Sequence, residues 1–245
     1  RGERDVTIRP EMTPTIARMI ARKRKELSFP LRWYSIPNLF RYERPQRGRL
    51  REHWQLNVDL FGIDNSEADA EIISVAYDVM RTFGAKDDNF IIRLNNRKLI
   101  NYLVDVYFGL EKENAYQLTK LIDKKEKIEP KEFISQVENF LGDRTNELMK
   151  FLNCKDVSEI PKEFLENIGV KELQTLQKLL KEKGVKNFIF DPSLIRGFDY
   201  YTGTVFEVFD TNPVNSRSLF GGGRYDDLVA IFGAEKVPGV GFGMG

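Results

Sequence analysis

Between Trp54 and Leu60 the apolar residues Trp54, Leu56, Val58 and Leu60 alternate with Gln55, Asn57 and Asp59. A period of two sends successive side chains to opposite faces, so this run predicts a strand with one apolar and one polar face. In the run before it, Arg41 and Glu43 share a face, and Pro45, Gln46, Arg47 and Gly48 supply the loop of a hairpin. WYSIPNLF reads as the approach strand. Near the N-terminus a strand-like VTIR leads to Pro10, and Thr13 or Pro14 starts an amphipathic helix that turns Ile16, Met19 and Ile20 inward. From Ser66 to Phe83 the spacing of Ala70, Ile73, Ala76, Tyr77 and Met80 predicts a packing helix with acids in its first turn. Asn89 to Leu94 alternates as a strand, and NNRKLINYLVDVYFGL continues as a helix.

The pattern changes near Glu111. Up to about Lys186 it is helical and rich in lysine and glutamate, with breaks at Pro130, Gly142, Pro161, Gly169 and Gly184. The span, about 75 residues, suits a small subdomain. From Asn187 onward NFIFDPSLIRGFDYYTGTVFEVF predicts a strand, a bend and a second strand, with Arg196 before the turn and Tyr200 and Tyr201 after it. Adjacent tyrosines in a strand face opposite ways, so one faces a ligand while the other packs. Gly221, Gly222 and Gly223 read as a tight turn before Arg224 and Tyr225, and an apolar run follows through Leu228, Val229 and Ile231. The expected organisation is α+β: residues 1–110 and 187–245 form an antiparallel sheet flanked by helices, and 111–186 form a mainly helical insertion.

Composition narrows the chemistry. At 245 residues the chain holds one large domain or two modest ones with a real core. Cys154 is the only cysteine and His53 the only histidine, which excludes an internal disulfide framework and a zinc site of several histidines or cysteines. His53 reads as a strand residue beside the site. No apolar run approaches the roughly 20 residues of a membrane helix, and a cytoplasmic protein is expected. The net charge of +1 gives no strongly basic footprint for nucleic acid. It conceals a local excess: Arg41, Arg44, Arg47, Arg49 and Arg51 fall within eleven positions. Such density suits phosphate, or a charged edge hairpin that resists pairing with other sheets.

The wording of these segments adds a second line of argument. FRYERPQRGRLREHWQLNVDLFG resembles motif 2 of class II aminoacyl-tRNA synthetases, in the form found in histidyl-tRNA synthetases. IRPEMTPTIAR, RLNNRKL, LIRGFDYYTG and GVGFGMG are similar to further segments of that family, the last to the beginning of motif 3. The resemblance covers Val6 to Leu110 and Asn187 to Gly245, with the middle matched as an insertion. It implies a class II antiparallel sheet and a ligase that joins L-histidine to tRNA(His) at the expense of ATP.

By that resemblance Glu11, Thr13, Gln55 and Asp59 orient the amino group of histidine, and Met12 belongs to the same histidine-binding segment. Without it, Glu11 is equally a helix-start acid favourable to the dipole. Many bacterial relatives carry glutamate where Asp59 stands. Tyr200, Tyr201 and Tyr225 are implied to belong to the histidine site, with Tyr201 the contact to the imidazole and Tyr225 nearby. Arg41 and Arg196 are implied as the catalytic pair on opposite sides of the α-phosphate; Glu43 and Arg49 address the nucleotide, and Gly241 and Gly243 leave room for adenine. Mg2+ would arrive with ATP, with no dedicated protein metal site. The insertion is implied to clamp the tRNA acceptor stem, although its lysines suit a solvated helical surface as well. The chain begins without methionine and lacks both motif 1 and an anticodon-binding domain, so it reads as a fragment of a homodimeric parent. The competing reading is the non-catalytic, synthetase-like regulatory subunit of ATP phosphoribosyltransferase, which predicts erosion of the catalytic positions.

Overall fold

The computed structural model describes residue 2 and residues 6–44, 49–195, 199–215 and 217–245. Its centre is a seven-stranded sheet built from β1 (Leu31–Ser35), β4 (Leu56–Phe61), β5 (Phe90–Asn96), β6 (Phe188–Phe190), β7 (Thr204–Asp210), β8 (Ser218–Arg224) and β9 (Gly239–Met244). The spatial order is β1-β4-β9-β8-β7-β5-β6, antiparallel throughout except for the β5–β6 pair. A separate ribbon pairs β2 (Asn38–Phe40) with β3 (Glu52–Trp54), and its backbone pairing extends through Arg41 N–H to Arg51 O at 2.8 Å.

The two faces of the sheet have different fates. On one, Leu60, Ile92, Leu94, Phe206, Val208 and Phe242 are buried in the larger core cluster, beneath α2 (Ser66–Thr82) and α7 (Ile168–Glu182). Burying each such side chain is worth about 1.5–3 kcal/mol. On the other, Phe61, Tyr201, Val205 and Tyr225 form a smaller cluster with Ile16, Ala17 and Ile20 of α1 (Thr13–Lys23). The polar residues of β4 lie on this second face, and they too are buried: Gln55 just before the strand, then Asn57 and Asp59, the last 2% exposed. Alternation thus predicts the two faces of β4, but the polar face points into the protein, and the expected single strand is interrupted at Gln55: Trp54 ends β3 in the ribbon and is exposed.

Several local expectations are corrected. Val6 and Ile8 are exposed and form no strand; among the described residues that stretch accepts one backbone bond, from Phe40 N–H to Arg9 O at 3.0 Å. Met19 is exposed; a helix advancing 100° per residue buries Thr13, Ile16, Ala17 and Ile20 instead. The three glycines 221–223 lie within β8 rather than in a turn. A Cβ on Gly222 would stand 1.9 Å from Gly241 O, and one on Gly223 2.6 Å from Thr204 O, so neighbouring strands occupy the space a side chain would need. The hairpin loop read at Pro45, Gln46, Arg47 and Gly48 lies outside the described residues.

After β5 the chain runs through a short α3 (Arg97–Asn101) and a π-helical segment, Tyr102–Tyr107. It then enters α4 (Lys112–Ile122), α5 (Pro130–Leu141) and α6 (Thr145–Leu152) before α7. Pro130 occupies the first helical position of α5, and Gly142 caps its C-terminus. Gly169 does not break a helix. It sits in the first turn of α7, where its N–H donates to the capping Asn167 Oδ1 at 2.8 Å, and a Cβ there would lie 2.7 Å from Leu99 N.

Candidate active site

A cavity of about 740 Å³ opens on the polar face of the sheet. Its floor follows from register. Asp59 pairs with Gly241 and Asn57 with Gly243, while Gly241 and Gly243 pair in turn with Gly223 and Gly221. Four glycines on one face leave bare backbone where side chains would otherwise fill the space. Buried polar groups take part of that room: a Cβ on Gly243 would lie 2.3 Å from Gln55 Nε2, and one on Gly241 2.5 Å from Tyr225 Oη.

One end of the cavity is acidic and aromatic. Glu11, just ahead of α1, accepts a hydrogen bond from the Tyr200 hydroxyl. Tyr225, anchored between β8 and β9 by its N–H to Gly239 O at 2.7 Å, donates its hydroxyl to Asp59 Oδ1. Burial drives the Asp59 carboxyl up to about 7, with the negative charge of Glu11 adding to the effect and the Tyr225 hydrogen bond opposing it. The Tyr200 and Tyr225 phenols are also pushed up, by burial first and then by the neighbouring acids and tyrosines, and stay protonated. The tyrosine parity expectation is corrected here. Tyr200 and Tyr201 precede β7 in irregular backbone, so strand alternation does not separate them; their rings lie 4.9 Å apart and both line the cavity.

The middle is amide and guanidinium. Gln55 Nε2 donates to Asn57 Oδ1 at 2.9 Å, and Arg41 Nη2 approaches Gln55 Oε1 at 3.4 Å. Arg41 Nε donates to Pro10 O at 2.9 Å, which joins the ribbon to the segment bearing Glu11. Toward the outside Arg49 Nη1 bonds Glu43 Oε2 at 2.9 Å. The Arg41 guanidinium in the middle and the Glu11 carboxylate at the inner end suit a ligand that carries phosphate and ammonium at separate points.

Of the residues expected from the sequence, Glu11, Thr13, Arg41, Glu43, Arg49, Gln55, Tyr200, Tyr201, Tyr225, Gly241 and Gly243 all line this one cavity. Asp59 stands behind Tyr225 and is not part of the lining, and Met12 packs at the N-cap of α1 against the smaller core cluster. Arg196 lies outside the described residues, so its convergence with Arg41 has no geometry to set beside it. Asn57, His53, Glu207 and Ser218 line the cavity although they were not assigned to it. Asn57 was legible, since it shares strand parity with Gln55 and Asp59; Glu207 needed the register that pairs it with Gly221. Among the described residues no group of three or more His, Cys, Asp or Glu side chains is disposed to hold a metal ion.

A second buried group supports the site from behind. Arg224, at the end of β8, lies with Nη2 2.7 Å from Asp69 Oδ1, and its remaining donors reach Ile63 O, Asn65 O and Asp226. Thr204 Oγ1 donates to Asp69 Oδ2 at 2.8 Å. Burial works to lower the Arg224 pKa, but Asp69 and Asp226 outweigh it and hold the guanidinium charged.

A family model described as Histidyl-tRNA synthetase matches residues 1–245. A histidine-tRNA ligase of Leptospira biflexa is 45% identical over 256 residues, covering 100% of this chain and 57% of that protein. A histidyl-tRNA synthetase structure from Nostoc sp. superposes with a TM-score of 0.84 at 27% identity, covering 97% of this chain and 57% of that one. A Bacillus halodurans structure described as an ATP phosphoribosyltransferase regulatory subunit/histidyl-tRNA synthetase gives 0.82 at 26% identity, with 96% and 62% covered. The chain therefore spans little more than half the length of these relatives.

Proposed function

Because the chain belongs to the histidyl-tRNA synthetase family, we propose that its cavity activates L-histidine with ATP, forming histidyl-adenylate and pyrophosphate for transfer to tRNA(His). The observation that carries this reading is the joining of Glu11, Gln55, Arg41 and Tyr225 in a single cavity. The amino acid's carboxylate attacks the α-phosphate, the P–O bond to the β-phosphate breaks, and pyrophosphate leaves with the electron pair. Two anions must meet, so the protein's work is positioning and charge neutralisation rather than proton abstraction.

Glu11, Thr13 and Gln55 orient the ammonium group, and Tyr201 and Tyr225 face the imidazole. Arg41 offers planar paired donors to the α-phosphate, with Arg196 as its partner in that role. Glu43, Arg49, Gly241 and Gly243 serve the nucleotide, and Mg2+ enters with the β- and γ-phosphates of ATP. Residues 1–110 and 187–245 act as the catalytic unit, residues 111–186 as an insertion facing tRNA, and the parent as a homodimer charging tRNA in the cytoplasm. Among the described residues no helix is long and apolar enough to cross a membrane.

The test is histidine-dependent exchange of pyrophosphate into ATP. Exchange that requires L-histidine supports the reading. Histidine binding without exchange in the full-length parent turns it over in favour of the regulatory subunit, a possibility raised by the Bacillus halodurans neighbour.

A further inference from the structure

Helix α4 of the insertion reaches the wall of the cavity through a pair of side chains. Lys120 Nζ donates to Asp199 Oδ1 at 3.1 Å, joining residues 79 positions apart. Asp199 immediately precedes Tyr200 and Tyr201, both of which line the cavity. Among the described residues, the backbone pairing of that stretch with β8 starts at Thr202 N–H, which donates to Arg224 O at 2.8 Å, and β7 itself begins at Thr204. The two tyrosines therefore stand ahead of the strand ladder, and side-chain contacts place them. The Tyr200 hydroxyl is fixed on Glu11, and its ring packs against those of Tyr201 and Tyr225 at 4.9 and 5.8 Å between centroids. Asp199 holds the chain just before them.

The other end of this tether is anchored in the core. Ala115, Leu118, Leu121 and Ile122 of α4 are buried in the larger core cluster, which also contains Leu94 and Phe206 of the sheet. The Lys120 ammonium lies 5.2 Å from the centroid of the Tyr116 ring, one helical turn back, which restricts where it points. A second cation draws on the same carboxylate. Arg97, at the start of α3, donates its backbone N–H to Gly203 O at 2.8 Å, and its Nε is buried with no hydrogen-bond partner among the described residues. Burial lowers the Arg97 pKa, and the negative charges of Asp199 and then Asp123 oppose the change.

We infer that α4 is part of the amino-acid site: Lys120 is a positioning residue that, by holding Asp199, sets where Tyr200 and Tyr201 stand against the substrate. The inference rests on the histidine reading and goes beyond it, because it gives the insertion a part in binding the amino acid before any tRNA arrives. Both side chains of the pair reach solvent, Lys120 at 36% and Asp199 at 70% exposed, so the pair moves an equilibrium by about five-fold at most. Asp199 answers to two cations, so removing its charge has the larger effect.

The test is calorimetric affinity for L-histidine and, separately, for ATP in the wild-type chain, Lys120→Met, Lys120→Arg, Asp199→Asn and the double variant of Lys120→Met with Asp199→Asn. Lys120→Met keeps an apolar stem against Tyr116 and removes the charge. Histidine affinity is expected to fall about three- to five-fold with ATP affinity unchanged. Lys120→Arg keeps the charge and stays within about two-fold of the wild type. Asp199→Asn loses about five- to ten-fold, and the double variant binds histidine no more weakly than Asp199→Asn, since the partner is already gone. Lys171→Met, which removes the pair of Lys171 with Glu166 elsewhere in the insertion, leaves both affinities as they are. A merely loosened fold lowers both affinities, which is why ATP is measured beside histidine. Losses that multiply in the double variant, equal losses for the two ligands, or histidine affinity unchanged in both Lys120→Met and Asp199→Asn overturn the inference. A wild-type chain that does not bind histidine overturns the functional reading, and the inference with it.

Discussion

Asp69 and Arg224 form an ion pair in which both residues are 3% exposed, and it fastens the first turn of α2 to the end of the strand that delivers Tyr225. Replacing Asp69 by alanine takes away the buried counter-charge of the guanidinium and leaves it the less buried Asp226 at 3.0 Å. A loss of about 3–5 kcal/mol in unfolding free energy is expected from urea titration. Asp69→Asn, which keeps an acceptor for Thr204 and for one Arg224 donor, should lose less.

Two glycines that look alike in the sequence should respond differently to alanine. At Gly222 the added carbon meets the backbone of Gly241 at 1.9 Å, which cannot yield without separating strands, so Gly222→Ala should cost about 3 kcal/mol or more. At Gly243 it meets the end of the Gln55 side chain at 2.3 Å, and that amide can move aside. Gly243→Ala should therefore melt near the wild-type temperature while the KM for histidine in pyrophosphate exchange rises roughly ten-fold through the displaced amide.

Asp59 imposes a pH dependence on stability. Its folded pKa of about 7 exceeds the unfolded value of 3.8, so between those limits the native state holds more protons than the unfolded one. Stability contributed by the neutral carboxyl is full below pH 4 and is lost as pH rises toward 7, about 4 kcal/mol for roughly three units. Urea melts should show Asp59→Asn gaining on the wild type from pH 4 to pH 8, with the difference level above that.

Arg41 has its Nε committed to Pro10 O and its fork turned toward Gln55. Arg41→Lys keeps the charge but loses the paired donors, so kcat/KM for exchange should fall by roughly a hundred-fold, with less change in histidine affinity. Equal losses in affinity and rate would assign Arg41 to binding alone.

Much of this site could be read from strand parity. Gln55, Asn57 and Asp59 alternate with apolar residues, and that alone puts three amides and carboxylates on one face. The sense of that face could not be read, because whether a polar row meets water or lines a cavity depends on what the rest of the chain packs beside it. The glycines of β8 suggested a turn, since nothing local reveals that Gly241 O already fills the space beside Gly222. Asp69 and Arg224 each looked ordinary, an acid in a first helical turn and an arginine after glycines; their pairing joins residues 155 apart. The pattern around Tyr200 and Tyr201 reads as a strand, but strand geometry begins only at Thr204.

In the proposed function histidine and the nucleotide share one cavity, with the ammonium at Glu11 and the α-phosphate at Arg41. A non-hydrolysable sulfamoyl analogue of histidyl-adenylate joins both parts in one molecule, and calorimetry against its alanyl counterpart tests the claim directly. The account predicts that the histidyl analogue binds far more tightly than histidine or ATP alone, that the alanyl analogue is weaker by roughly a hundred-fold or more, and that Glu11→Gln and Arg41→Ala each weaken the histidyl analogue. Equal binding of the two analogues, or a histidyl analogue indifferent to both substitutions, would contradict it.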